Sequence, residues 1–323
     1  MEKRRLGRSD LAISPMGLGC WAIGGPWTYL GKPAGWGKVD DAESIRAIDL
    51  ALDAGIDFFD TAANYGCGHS ERILGQALGN RRKGVVLATK FGFQVNEEAK
   101  SVTQSTHLVS HIREDCERSL RRLGTDYIDL YQLHVDDFDP QAISDVTSVL
   151  EDLVDDGKIR WYGWSTNNPD GARAIAKSRH CTAIQHTLNM LIFRPEILAV
   201  CEEEALASVN RYPLSSGLLT GKFRPDTTFP ADDFRHEDYF RQPLTEGTRR
   251  VEEIREAFKD SPRSPAQIAL GWIWAISDAT IPIPGFKTPT QVAENLAALK
   301  FGPLTTVEVN KVEAALGRPP RPA

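Results

Sequence analysis

The chain has 323 residues, of which 41% are hydrophobic and 25% charged, with a net charge of −6. That balance supports a large core and excludes extended disorder, while an acidic total without a basic run excludes an electrostatic nucleic-acid binder. No apolar stretch reaches membrane-spanning length and no apolar signal core follows MEKRRLGRSD, so the sequence predicts a cytoplasmic protein with no membrane partner.

Residues 4–13 read as two short strands around a turn at Gly7 to Asp10, and MGLGCW supplies a first core strand. Residues 24–38, rich in Gly, Pro, Trp and Lys, are too aromatic for a plain connector and are predicted to border a pocket. Asp40 and Glu43 have helix-start spacing, Ile45, Ile48 and Leu52 follow one face, and Gly55 ends that helix before the strand FFD at 58–60. A polar turn then carries Tyr65, and Gly66 and Gly68 let the chain bend into a helix marked by Ile73, Leu74 and Leu78.

The alternation continues to the end of the chain. Strand patterns lie at 85–90, 128–134, 159–165, 183–186, 205–210 and 280–285. Helical patterns lie between them: Leu108 to Leu123 along one face, a helix begun by Asp139 and Pro140, and others opened by Asn168 with Pro169 and by Pro195. Residues 213–243 are polar, irregular and rich in Pro, Asp and aromatics; they are expected to form a lid, with helix resuming near Thr245. Ser264, Pro265 and Gln267 mark a further helix start, as do Thr288, Pro289 and Gln291, and residues 304–316 form a last amphipathic segment expected on the outside. Eight strands alternating with helices, with no linker, predict an α/β chain folded as one (β/α)8 (TIM) barrel domain over 1–323. No G-x-G-x-x-G follows the first strand, so a dinucleotide would be held by something other than a Rossmann turn.

The residues at the strand ends are Trp21, Asp60, Lys90, His134, Ser165, Gln185, Arg211 and Gly285, and in a barrel these converge on one mouth. Asp60, Tyr65, Lys90 and His134 would then form a catalytic cluster. A free tyrosine ionises near ~10, and a neighbouring ammonium favours the phenolate, so Lys90 is expected to lower Tyr65. Asp60 would hold Lys90 charged, and His134 would hydrogen-bond Tyr65 or a substrate carbonyl. The plainer alternatives are a structural ion pair, a histidine satisfying a backbone carbonyl and a tyrosine covering the rim. Cys20, Cys67, Cys116, Cys181 and Cys201 are an odd, scattered set, read as free thiols, and His107 with His111 lacks a third ligand; no metal site is expected.

With those residues in place, the chain resembles the aldo-keto reductases over nearly its whole length, most of all the potassium-channel β-subunit-like and bacterial members. DTAANYG at 60–66 is similar to the family's aspartate and tyrosine signature, GHSERILG at 68–75 to the helix that follows, ATKFG at 88–92 to its lysine strand and LH at 133–134 to its histidine. The resemblance implies NADPH-dependent reduction of a small-molecule carbonyl, with Tyr65 as general acid, Lys90 and Asp60 as its tuning pair and His134 orienting the substrate. It implies a cofactor site from Gly19, Cys20, Trp21 and Asp60, through Ser165, Thr166, Gln185 and Arg211, to Pro213, Leu214, Gly217, Leu219 and Lys222 around the pyrophosphate. Gly285, Phe286, Lys287, Thr288, Gln291 and Asn295 resemble the segment for the adenosine 2′-phosphate, where a helix start and a lysine suit a dianion.

Three positions depart from the common pattern. Arg211 stands where many members have a stacking tyrosine, Gln291 where many have an arginine at the 2′-phosphate, and Thr166 where many have an asparagine. The substrate pocket is expected from Trp21, Tyr65, Phe91, His134 and Trp164, with a preference for apolar or aromatic carbonyls. The absence of a long exposed apolar stripe favours a monomer. One rival reading is a regulatory barrel that binds NADP(H) as a sensor with little turnover. Another is a Schiff-base aldolase on Lys90, against which Asp60 argues, because that chemistry needs an uncharged lysine.

Overall fold

The computed structural model describes residues 2–321. Eight parallel strands form the barrel: β1 (Leu18–Gly19), β2 (Phe58–Asp60), β3 (Val86–Phe91), β4 (Ile128–Leu133), β5 (Ile159–Ser165), β6 (Cys181–Thr187), β7 (Ala207–Arg211) and β8 (Thr280–Pro282). Each pairs with the next in sequence, and a parallel bridge between Gly19 and Gly285 closes the ring. The closure is tight. A Cβ on Gly19 would lie 2.8 Å from Ile283 O, so β1 can pass this close to the chain after β8 only as glycine.

The expected helices are present as α1 (Asp41–Asp53), α2 (His69–Leu78), α3 (Leu108–Leu123), α4 (Ile143–Asp155), α5 (Pro169–Ala176), α6 (Pro195–Glu203), α7 (Arg241–Ala257), α8 (Pro265–Ile276), α9 (Pro289–Phe301) and α10 (Thr306–Ala315). Their caps follow the sequence signals. Asp40 accepts from Glu43 N, Asn168 caps α5 ahead of Pro169, and Ser264 with Gln267 forms a complete capping box. Two starts are displaced. Asp139 caps a short 3-10 turn over Pro140–Ala142, so α4 begins later than expected, whereas α7 begins four residues before Thr245, because Pro243 falls in its first turn, where a missing N–H is harmless.

Strand side chains alternate between the barrel interior and the layer under the helices. Phe58, Val86, Ala88, Leu130, Ala183 and Val209 point inward, and Leu6, Leu11 and Ile13 of the N-terminal hairpin plug the lower end. Phe59, Leu87, Phe91, Tyr131, Leu133 and Trp164 point outward into the larger core beneath the helices. A second sheet lies at the mouth and had no signal in the sequence reading. Hairpins Thr28–Tyr29 with Lys32–Pro33 and Phe93–Asn96 with Ser101–Gln104 join into four strands, Tyr29 pairing with Val102. The first long loop is therefore partly ordered as sheet.

Candidate active site

Asp60 ends β2, Lys90 lies next to the end of β3, and His134 follows β4, its N–H donating to Phe91 O at 2.9 Å. Tyr65 comes from the turn after β2, and that turn is pinned by the first loop. A Cβ on Gly66, whose φ is 61°, would fall 1.9 Å from Gly24 O. Only glycine permits the approach.

The Lys90 ammonium is fully buried and has three acceptors for its three hydrogens: Asp60 Oδ2 at 2.6 Å, Thr61 O at 2.8 Å and Tyr65 OH at 3.2 Å. The Tyr65 oxygen accepts from Lys90 and keeps its own hydrogen to donate outward. Asp60 Oδ1 in turn accepts from Gln132 Nε2 at 3.0 Å and Gln185 Nε2 at 2.8 Å. Every polar atom behind the phenol is thus paired. Gln132 was missed in the sequence, although as an amide inside an apolar strand it was visible there.

The electrostatics differ from the expectation in one respect. The Tyr65 phenol is pushed well above its usual range, by burial first and then by Asp60. Arg211 opposes the rise, and burial outweighs it. Lys90 itself is pushed down by burial, with Asp60 opposing. His134 is held well below its usual value by burial and by the cations of Lys90 and Arg211, so it is neutral near pH 7. Its Nδ1 lies 3.1 Å from Asn64 Oδ1 and its ring meets Tyr65 edge-on at 5.7 Å. Asn64 Oδ1 accepts from the Nδ1–H of His134, which leaves Nε2 without a hydrogen.

A cavity of ~1010 Å³ runs from this cluster past the ends of β7 and β8 to α9. Gly19, Trp21, Asp60, Tyr65, His134, Gln185 and Arg211 line it, followed by Pro213, Leu214, Gly217 and Lys222, then by Gly285, Phe286, Lys287, Gln291 and Asn295. The other expected residues stand back from it. Cys20 is buried on the outward face of its strand, Leu219 packs in a cluster with Trp272, and the Thr288 side chain caps α9 by accepting from Gln291 N. Ser165 Oγ supports Gln185 from behind at 3.4 Å, and Thr166 Oγ1 donates to Asp136 O at 2.7 Å.

Two pocket assignments are corrected. Phe91 is buried against Tyr131 with centroids 4.6 Å apart, and Trp164 is fully buried, its Nε1 donating to Val135 O. Lys90 and Ser165 face inward, so their chain neighbours must face outward. The pocket wall is built instead by Trp27, Tyr29, Ala34 and Phe93 of the second sheet and its loop.

Arg211 is anchored by Asp136, Nη2 to Oδ2 at 2.7 Å, and that carboxylate also accepts from Asn167 N and Nδ2. Asp136, beyond the end of β4, is thus the brace for the cation at the mouth. Arg211 Nε and Asn295 Nδ2, near opposite ends of the cavity, are buried donors without partners. Between them the chain turns through the left-handed region at Ser216 (φ 55°) and Gly217 (φ 92°), near Lys222, Arg235 and Lys287. Donors at both ends and cations between them suit an elongated ligand with anionic oxygens in its middle.

A roof covers the cavity. Phe234 N donates to Gly35 O at 2.9 Å and Trp36 bridges Asp233, joining the first long loop to the segment after β7. Asp233 binds Arg235 through both oxygens, at 2.9 and 2.6 Å, and the guanidinium sits 4.5 Å from the centres of Trp36 and of Phe229. Lys287 Nζ donates to Trp36 O and, at 3.4 Å, to Lys38 O.

The sequence profile of the Aldo/keto reductase family matches residues 15–316. The aldo-keto reductase YhdN of Bacillus subtilis is 34% identical, covering 90% of this chain and 87% of its own. The NADH-specific methylglyoxal reductase of Escherichia coli is 33% identical, covering 93% and 94%. Among solved structures, the glycerol dehydrogenase AKR11B4 of Gluconobacter oxydans superimposes with a TM-score of 0.82 at 33% identity, over 100% of this chain and 97% of that one.

Proposed function

The chain belongs to the aldo/keto reductase family, and from that premise we propose that it reduces aldehydes or ketones to alcohols with NADPH, Tyr65 giving the proton. The supporting observation is the Lys90 ammonium, whose three hydrogens go to Asp60, Thr61 and Tyr65. That arrangement leaves the phenol one hydrogen and one direction in which to send it. A phenol held above its ordinary range stays protonated at neutral pH, which is the state a general acid must start from. Neutral His134, its ring fixed through Nδ1 by Asn64 and edge-on to Tyr65, positions the substrate beside the phenol.

The cavity suits the dinucleotide by the two unpartnered donors at its ends and the cations along it. NADPH, when bound, supplies the hydride. Arg211 and Gln185 hold its ring end, the 213–222 segment with Lys222 and Arg235 its phosphates, and Lys287, Gln291 and Asn295 its adenosine end. Preference for NADPH over NADH is modest in this reading. Gln291 Oε1 accepts from Lys287 N at 2.7 Å, and the Lys287 ammonium is directed at loop carbonyls, so neither presents a free cation to a 2′-phosphate.

Loss of NADPH absorbance with aromatic aldehydes, quinones and sugar aldehydes, run beside NADH, tests the assignment. Turnover with either nucleotide supports a reductase. Tight nucleotide binding with no turnover across the panel would favour the sensor reading.

A further inference from the structure

Tyr65 heads a strained stretch of backbone. The three residues after it, Gly66 (φ 61°), Cys67 (φ 54°) and Gly68 (φ 84°), all lie in the left-handed region. Glycine accepts that conformation, but Cys67 carries a side chain disfavoured there, and such a run persists only where its surroundings over-determine it. On one side the turn abuts Gly24. On the other lies the turn of the second mouth hairpin, residues 97–100, between Phe93–Asn96 and Ser101–Gln104. Lys100 Nζ donates to Gly66 O at 3.1 Å, and Cys67 Sγ lies 3.7 Å from Ser101 O. Glu97 reaches the same stretch through Arg122. Arg122 Nη1 donates to Glu97 Oε1 at 3.1 Å, and its stem lies over Gly68, where an added Cβ would come 2.5 Å from Arg122 Cδ. Arg122 Nε also donates to the fully buried Glu71 at 2.5 Å, and that carboxylate accepts from Thr89 Oγ1 at 2.6 Å, next to Lys90 in β3. The hairpin turn is thus tied to the backbone one residue beyond Tyr65 and, through Arg122 and Glu71, to the strand that carries Lys90. Lys100 is itself left-handed (φ 49°), and its carbonyl accepts from Thr28 N at 2.9 Å, so the first hairpin holds it in turn. Neither Lys100 nor Glu97 lines the catalytic cavity.

We propose that Lys100 is a positioning residue for Tyr65, supported by Glu97 acting through Arg122. The hairpin turn grips the left-handed residues behind the tyrosine and fixes where the phenol points. The inference rests on the reductase reading above, in which Tyr65 gives the proton. Without the Lys100 donor, Gly66 O retains the longer bond from His69 N at 3.3 Å, and the strained stretch is free to relax. The phenol then drifts from the carbonyl while the pocket and the cofactor site keep their own residues.

The test is steady-state kinetics of the full chain with NADPH and the aldehydes of the panel above, in Lys100→Met, Lys100→Arg and Glu97→Gln. Lys100 is exposed and Glu97 partly so, which favours folding of all three variants. In Lys100→Met kcat is expected to fall roughly five- to fiftyfold, short of the ~100-fold of a 1 Å misplacement, with the aldehyde KM and the NADPH Kd within about twofold. Lys100→Arg, which keeps a donor, should recover most of the loss, and Glu97→Gln should lose less in the same direction. The falling limb of the pH profile should stay in place, because the phenol is moved and its ionisation is not. On a Tyr65→Phe background, single-turnover traces should show no further loss from Lys100→Met, since the group it positions is gone. Unchanged kcat in Lys100→Met would overturn the proposal, as would a loss that persists in the double variant or one confined to KM. No turnover of any aldehyde by the unaltered chain would instead remove the reductase reading itself.

Discussion

The floor and the roof of the cavity are held in different ways. On the floor, Asp60, Lys90, Gln132 and Gln185 project from the ends of hydrogen-bonded strands, and each finds its partners among the others. In the roof, Trp21, Trp36, Phe234 and Arg235 come from loops joined by a few backbone bonds and by ring contacts of 4.5 to 5.3 Å. A strand ladder fixes side-chain direction to within its parity, whereas ring stacking fixes distance and leaves the loops able to separate. The floor suits proton transfer, which needs a fixed donor. The roof suits enclosure of a ligand that must enter and leave.

The sharpest break of this contrast is Tyr65→Phe. It removes the donor and one of the three acceptors of the Lys90 ammonium, and the turnover number should fall by roughly two to four orders of magnitude. Cofactor affinity, read by fluorescence titration, should stay nearly unchanged. Lys90→Met comes next. It strands the Asp60 carboxylate, which is 2% exposed, and breaking a buried pair from one side destabilises by about 3–5 kcal/mol, measurable by denaturant titration.

A roof change should behave in the opposite way. Trp36→Ala should cost less global stability than Lys90→Met, since its ring and cation–π contacts lie in loops and are each worth roughly 0.5–1.5 kcal/mol, yet speed cofactor release severalfold in stopped-flow traces. If Trp36→Ala destabilised the fold as much as Lys90→Met, the distinction between the two regions would fail. The smallest effect is Gln291→Arg. A guanidinium there should raise the NADPH to NADH ratio of kcat/KM by about tenfold, as expected for one charge-assisted contact worth roughly 1.5 kcal/mol.

The same division explains what could be read from the sequence. The barrel and its helices were legible because hydrophobic period and caps are local signals, and the four clustered residues because each strand end carries a polar residue after an apolar run. Strand parity was also available: with Lys90 and Ser165 assigned inward, Phe91 and Trp164 had to face the helices. The mouth sheet was not legible. Its strands have two to four residues, too short for a period, and the pairing of Tyr29 with Val102 joins distant segments. Nor was the brace on Arg211, because Asp136 gains its role only when the loops after β4 and β5 meet. The direction of the Tyr65 shift was misread for a related reason: a sequence places a lysine beside a tyrosine, but burial of the phenol beside the Asp60 carboxylate belongs to the folded site.

The central claim is that the paired floor keeps Tyr65 protonated and its hydrogen directed outward. The pH dependence of kcat/KM for carbonyl reduction tests it most directly. A phenol raised by burial and Asp60 predicts a profile level from about pH 6 to 9, with the falling limb above the ordinary tyrosine value of ~10, and no rise near ~6.5 from His134, which is already neutral there. A falling limb between about pH 7 and 8, absent from the residual activity of Tyr65→Phe, would show a phenol lowered by Lys90 and would contradict the account.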